Sequence, residues 1–310
     1  MRAYLLPAEG AQPELTQAPA PEPAPDEVLV RVHTSSVTPH DAIVASGAAA
    51  RYMTYRFPVV LGSDLAGTVE AVGAEVSDLS PGDRVFGLVR ELVAARGSFA
   101  ELVSVPREWV CRTPETVDDT SAGALGLAAL TALRCVDAIE AGAGDVVLVN
   151  GATGGVGSYA IQLLAARGAA VVATARPGEE ARHVRELGAA DVVDWTGGDL
   201  AERVRTLHPD GVTAIIDLVN RNPANLADLA DAVLAPAGRV ASTGHAADPD
   251  RSGSTNIRAG VDQDALRTIA ELAGDGRLRA PITRTFDLAD LDRAFAALGG
   301  GAVGKIAIRI

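Results

Sequence analysis

The chain has 310 residues, 48% hydrophobic and 22% charged, so a disordered or collagen-like protein is excluded and there is room for two cores. A formal net charge of −13 repels phosphate backbones and anionic lipid, so no nucleic acid and no membrane is expected as a principal partner. Cys111 and Cys135 are too few for a disulfide framework or a four-cysteine zinc lobe, and both read as packed thiols.

The N-terminal MRAYLLPAEGAQ lacks the apolar run of a signal peptide, and no stretch of about 18 uncharged apolar residues follows; a cytoplasmic protein is expected. The first hundred residues read as short strands: AYLL, EVLVRVHTSS at 27–36, DLAGTVEAVG at 64–73, DRVF at 83–86 and FAELVSV at 99–105. Between the first two, Pro7, Pro13, Pro19, Pro21, Pro23 and Pro25 predict an extended surface loop, because proline cannot donate to a ladder.

From about residue 121 apolar strands alternate with amphipathic segments, the pattern of βαβ units and a parallel sheet. Strands are predicted at 146–150, 169–174, 214–219 and 238–243. Ala181, Val184 and Leu187 share one helical face before Gly188, and Leu226, Leu229 and Val233 share another before Pro236. Two further helices are marked by Leu266, Ile269 and Leu272, and by Leu291, Phe295 and Leu298; KIAIRI closes the chain as a strand.

The most informative segment is DVVLVN-GATGGVG-SYAIQLLAARG, a buried strand, a glycine-rich turn and a helix. Gly154 and Gly157 allow a tight turn and close backbone approach to a pyrophosphate, while the free N–H groups of the helix start supply donors. Ala152 stands where the usual pattern has its first glycine. At the end of the next strand, VVATAR, an NAD-specific site would carry Asp or Glu for the ribose 2′-hydroxyl; here Arg176 matches a 2′-phosphate and points to NADPH. A solvated loop arginine is the plain alternative, and Glu179 and Glu180 follow closely.

With these residues in view, the chain resembles the medium-chain dehydrogenase/reductase superfamily, specifically its zinc-independent quinone oxidoreductase branch. The resemblance rests on SSVTPHD at 35–41, LGSDLAGTV at 61–69, PGDRVFG at 81–87, SFAELV at 98–103, LAALTAL at 127–133, NGATGGVG at 150–157 and ELGAADVVDW at 186–195. It implies an α/β chain with a GroES-like, mainly β catalytic domain from residues 1–120 and 259–310, a Rossmann-type doubly wound domain from 121–258, and a cleft between them for nicotinamide. It also implies a homodimer through edge pairing of Rossmann sheets. By the same resemblance Thr131 lies near the nicotinamide, Ala152, Thr153, Gly154, Gly155, Val156 and Gly157 under the pyrophosphate, Thr174 and Arg176 at the adenosine ribose, and Thr243 and Gly244 along the cofactor. Thr38, His40 and Asp41 border the reacting ring. The branch usually has Asn at the place of Thr38 and commonly Tyr at that of Trp195.

Zinc-dependent relatives carry Cys at the position of Thr38 and Gly-His-Glu where this chain has Gly62, Ser63 and Asp64, so two expected metal ligands are absent and no metal is expected. Without a Lewis acid, a conjugated carbonyl is the favoured small-molecule substrate, because an enone or quinone accepts hydride at carbon and moves the charge to oxygen. A proton then comes from water or from a side chain, with Tyr52 preferred over Tyr55 and His40. An enoyl reductase acting on a thioester or polyketide intermediate, and a non-enzymatic NADPH-binding or sensing protein, remain open at this level.

Overall fold

The computed structural model describes all 310 residues and packs as two compact units, Met1–Ala128 with Gly260–Ile310, and Ala129–Ala259. The family resemblance puts the changeovers at 120/121 and 258/259, against 128/129 and 259/260 here.

In the first unit the β-branched run EVLVRVHTSSV forms the strand Glu27–Val37, buried along most of its length. It pairs antiparallel with Asp64–Val72, with Leu102–Pro106 and with Lys305–Arg309, which sets Ile308 opposite Ser35. Val110–Arg112 and Arg84–Leu88 extend this sheet on one side and Ile282–Asp287 on the other. The C-terminal strand therefore lies inside a sheet begun by Glu27–Val37, which is why this unit takes both ends of the chain. Val30, Leu65, Val69, Val85 and Val103 fill its core.

The proline-rich stretch is not wholly a loop. Glu14–Gln17, in the proline-free gap between Pro13 and Pro19, pairs antiparallel with Arg2–Leu6 in a small sheet completed by Val59–Val60. Its strand is an edge, where flanking prolines leave no interior donor missing.

The second unit is a six-stranded parallel sheet in the order Asp191–Val193, Ala170–Thr174, Val146–Asn150, Val212–Asp217, Leu234–Ser242, Ser254–Asn256. The chain runs from Val146–Asn150 to one edge and then returns to build the other side, so the order reverses between Val146–Asn150 and Val212–Asp217, the crevice where doubly wound sheets take ligands. Helices Pro223–Val233 and Leu200–Leu207 bury Leu226, Val233 and Val204 on Leu148, Val172 and Ile215. The strand expected at 238–243 begins at Leu234, four residues early: it continues through Pro236 because a register shift and a left-handed Ala237 (φ 59°) absorb the proline.

Candidate active site

The phosphate-type turn sits at the crevice. Gly151 has φ 89°, and Gly157 lies so close to the turn that a Cβ there would be 2.4 Å from Gly151 O and 2.6 Å from Ala152 Cα. Gly154 precedes the helix Gly155–Ala166 without a side-chain cap, and a Cβ on it would meet only Gly151 O, at 3.8 Å. Ala152 and Gly157 are buried, whereas Thr153, Gly154, Gly155 and Val156 are half-exposed on the open side. The first N–H groups of a helix have no acceptor within it, so they face that side with their positive end. These residues fit a dinucleotide pyrophosphate.

Thr174 is buried and supports the turn: its Oγ1 accepts from Gly151 N at 2.9 Å and donates to Val149 O at 3.3 Å. It acts on the site through Gly151. Arg176, just past the same strand, has its guanidinium half-exposed and paired to Glu180 through Nε (2.8 Å) and Nη2 (2.6 Å), while its backbone N–H donates to the same carboxylate. Nη1 has no protein acceptor, so one edge of the guanidinium remains presented. Glu180, which follows closely in the sequence, is what orients it. Trp195 is 52% exposed.

Two further polar groups organise the crevice and were not found from sequence. Asp217, fully buried at the end of its strand, accepts from Asn150 Nδ2 and Asn220 Nδ2, each at 2.8 Å, and from Asn220 N at 3.0 Å; burial pushes its carboxyl pKa up. Asp217 O takes Thr243 N–H at 3.1 Å, and a Cβ on Gly244 would lie 1.9 Å from Asn220 O, so Thr243 and Gly244 are held beside the same strand ends. The available signal was a polar residue ending each of two apolar strands. Thr131 is buried on the helix Leu127–Ala138.

In the first unit, Thr38 caps the helix Pro39–Ala45 in a reciprocal capping box with Asp41. Thr38 Oγ1 and Ser63 Oγ both donate to the buried Asp41 carboxylate, at 2.7 and 2.6 Å. Desolvation raises Asp41 to about 6, against the lowering pull of the two hydroxyls. Next to Ser63, Asp64 is fully buried and bound by Lys305 Nζ at 2.9 Å, Leu127 N at 2.5 Å and Ser36 Oγ. Nowhere do three His, Cys, Asp or Glu side chains gather in a way that could hold a metal ion.

His40 Nε2 accepts from Arg90 Nη1 at 2.9 Å, and Arg90 is also within electrostatic reach of Tyr52, whose ring is 47% exposed. The structure thus sets His40 against an arginine that the sequence did not single out. Tyr55 is committed elsewhere, donating to Val44 O at 2.8 Å. Desolvation, reinforced by the Arg90 charge, lowers His40 to about 4. A neutral imidazole that already accepts from arginine is a poor acid at pH 7.

This has a stability consequence. Between pH 4 and 6.5 the unfolded chain holds a His40 proton that the folded chain does not, so the His40 contribution is complete above pH 6.5 and is lost as pH falls toward 4. Relative to His40→Gln, the wild type is expected to lose on the order of 2 kcal/mol across that window in urea titrations at stepped pH. A pH-independent difference would show that His40 is not desolvated.

Comparison with known proteins agrees with this architecture. Residues 24–115 match the alcohol dehydrogenase GroES-like domain family, and residues 155–263 match the zinc-binding dehydrogenase family. A rat (Rattus norvegicus) quinone oxidoreductase is 35% identical over 208 residues, covering 66% of this chain and 61% of that protein. A mycocerosic acid synthase-like polyketide synthase of Mycobacterium tuberculosis is 32% identical over 317 residues, covering 93% of this chain and 14% of that protein. The chain spans about half to three-fifths of the length of the first curated oxidoreductases it matches. The crystal structure of an alcohol dehydrogenase superfamily protein from Novosphingobium aromaticivorans superposes with a TM-score of 0.86 at 30% identity, covering 100% of this chain and 99% of that one. With a GroES-like sheet that takes in the C-terminal strand, a doubly wound sheet carrying the glycine turn, and these relatives, the chain belongs to the medium-chain dehydrogenase/reductase superfamily, in its quinone oxidoreductase branch.

Proposed function

We propose that this protein is an NADPH-using oxidoreductase that reduces a quinone, enone or similar conjugated carbonyl without zinc. The observation that carries the reading is the pairing of an open glycine turn with a half-exposed Arg176, whose Nη1 is unclaimed at the end of the adjoining strand. When bound, NADPH supplies a hydride, which a conjugated acceptor takes at carbon while its charge moves to oxygen. Arg90, supported by His40, offers a desolvated positive charge for that oxygen, and Tyr52 offers a proton. Zinc independence is supported by Thr38 and Ser63, which occupy the expected ligand positions with hydroxyls already given to Asp41. The test is NADPH consumption across quinones, enones, enoyl-thioesters and aldehydes, with NADH in parallel; elemental analysis finding zinc, with activity lost to a chelator and restored by the metal, would refute the metal-free reading.

The alignment with a polyketide synthase over 93% of this chain favours a second reading, enoyl reduction on a thioester. Turnover of a crotonyl-thioester without turnover of naphthoquinone would select it.

Arg176→Ala is expected to weaken NADPH about 10- to 100-fold and leave NADH nearly unchanged, the loss typical of one charge-assisted partner. Fluorescence titration with both nucleotides checks this: equal weakening would make Arg176 a partner of Glu180 alone. We also propose a cytoplasmic homodimer; light scattering at micromolar concentration is expected to give twice the 31.7 kDa chain mass, and the single mass would contradict it. No helix is long and apolar enough to cross a membrane.

A further inference from the structure

A cavity of about 670 Å³ lies wholly within the first unit, away from the Arg90 and Asp41 groups described above. That volume is in the range of small-molecule sites. Its walls include Tyr4, Tyr55, Phe57 and Phe295, with ring centroids 5.5 Å apart for Tyr55 and Phe57 and 6.4 Å for Tyr4 and Phe295. The helix Pro39–Ala45 contributes Ala42 and Ala45, nearly opposite His40 around the helix, so the cavity and the Arg90 cluster lie on different faces.

The charged residues lining it are Glu9 and Asp292, and no Lys, Arg or His is among its lining residues. Asp292 is exposed, and its single protein partner is the hydroxyl of buried Tyr4, which donates to Oδ1; Oδ2 accepts from no protein group. Arg293, next in sequence, is turned away to Asp290 at 3.1 Å and over the Phe286 ring at 5.7 Å. Glu9 makes no ion pair. Tyr4 is kept protonated by burial and by the neighbouring carboxylate, which fixes it as donor and Asp292 as acceptor.

Aromatic walls with two carboxylates and no base are complementary to one class of small molecule, an apolar body bearing a positive nitrogen. Ring faces attract such a cation, and a carboxylate oxygen without a donor receives its N–H. A carboxylate ligand would meet two like charges. We propose that this cavity is a second small-molecule site of the protein, selective for an aromatic or alkyl organic ammonium, with Asp292 as its principal anchor and Glu9 as a supporting charge.

Isothermal titration calorimetry on the full-length protein tests this with three probes of similar size: 2-phenylethylammonium, 2-phenylethanol and 3-phenylpropionate. The ammonium is expected to bind once per chain, at least about tenfold tighter than the alcohol, with no measurable binding of the carboxylate. Asp292→Asn should bring the ammonium down to the level of the alcohol, and Ala45→Leu, which fills the cavity from the helix, should remove both. NADPH oxidation by Asp292→Asn should equal that of the wild type. If Asp292→Asn does not fold, Glu9→Gln at the exposed rim carries the charge test, with a smaller weakening confined to the ammonium. Binding of the carboxylate as tight as that of the ammonium, ammonium affinity unchanged in both charge variants, or no binding of any probe at millimolar concentration would overturn the proposal.

Discussion

Lys305→Met is expected to destabilise the protein by about 3–5 kcal/mol, the usual cost of leaving one member of a buried ion pair without its partner. Lys305 is 3% exposed and Asp64 0%, so water cannot take over when the ammonium is removed. Leu127 N–H and Ser36 Oγ would still reach the carboxylate, but two neutral donors do not balance a buried charge. The double variant Asp64→Asn with Lys305→Met should recover much of the loss, since Asn keeps an acceptor for Leu127 N–H and carries no charge. Urea denaturation of the wild type, both single variants and the double variant gives the coupling directly. A Lys305→Met protein within about 1 kcal/mol of wild type would mean that the pair is hydrated and not a structural charge. The effect reaches the start of the helix Pro39–Ala45 as well, because Asp64 follows Ser63, which binds Asp41 under Thr38.

Gly157→Ala is expected to lower nicotinamide nucleotide affinity by at least about 100-fold and to lower Tm, because the new methyl would sit against backbone on three sides. Gly151 O at 2.4 Å, Ala152 Cα at 2.6 Å and Ala152 O at 2.6 Å cannot be relieved by a side-chain rotation, so the turn itself must move. A displacement of about 1 Å is enough to ruin a row of phosphate donors. Gly154→Ala is the informative control. Its φ of −77° and ψ of 176° suit alanine, and the Cβ meets nothing nearer than 3.8 Å, so the fold should be unaffected. The methyl would, however, stand on the open side of the turn, and dinucleotide binding should weaken with Tm unchanged. Normal binding by Gly154→Ala would mean that the pyrophosphate does not approach that face.

The sequence alone determined the features that depend on neighbouring residues. Period-two runs marked Glu27–Val37 and Lys305–Arg309, 3.6-period faces marked Pro223–Val233 and Gln263–Gly274, and the strand, glycine turn and helix around Gly151–Gly157 marked the candidate dinucleotide site. Local pattern carries these because a single element already selects them. The short strands Asp191–Val193, Ser254–Asn256 and Glu14–Gln17 escaped it, since three or four residues hold too little periodicity to stand out. Only tertiary structure decided the pairs that join distant elements: Lys305 with Asp64, Arg90 with His40, Tyr4 with Asp292, and Asn150 with Asp217. Each depends on which strands become neighbours and in what register, a choice fixed by burial across the whole sheet, so a lysine in KIAIRI or an aspartate in IID shows its need for a partner but not the partner's identity. Thr174 and Arg176 illustrate the same limit within one strand end: the resemblance places both at the cofactor, and the fold ties one to Gly151 of the turn and the other to Glu180.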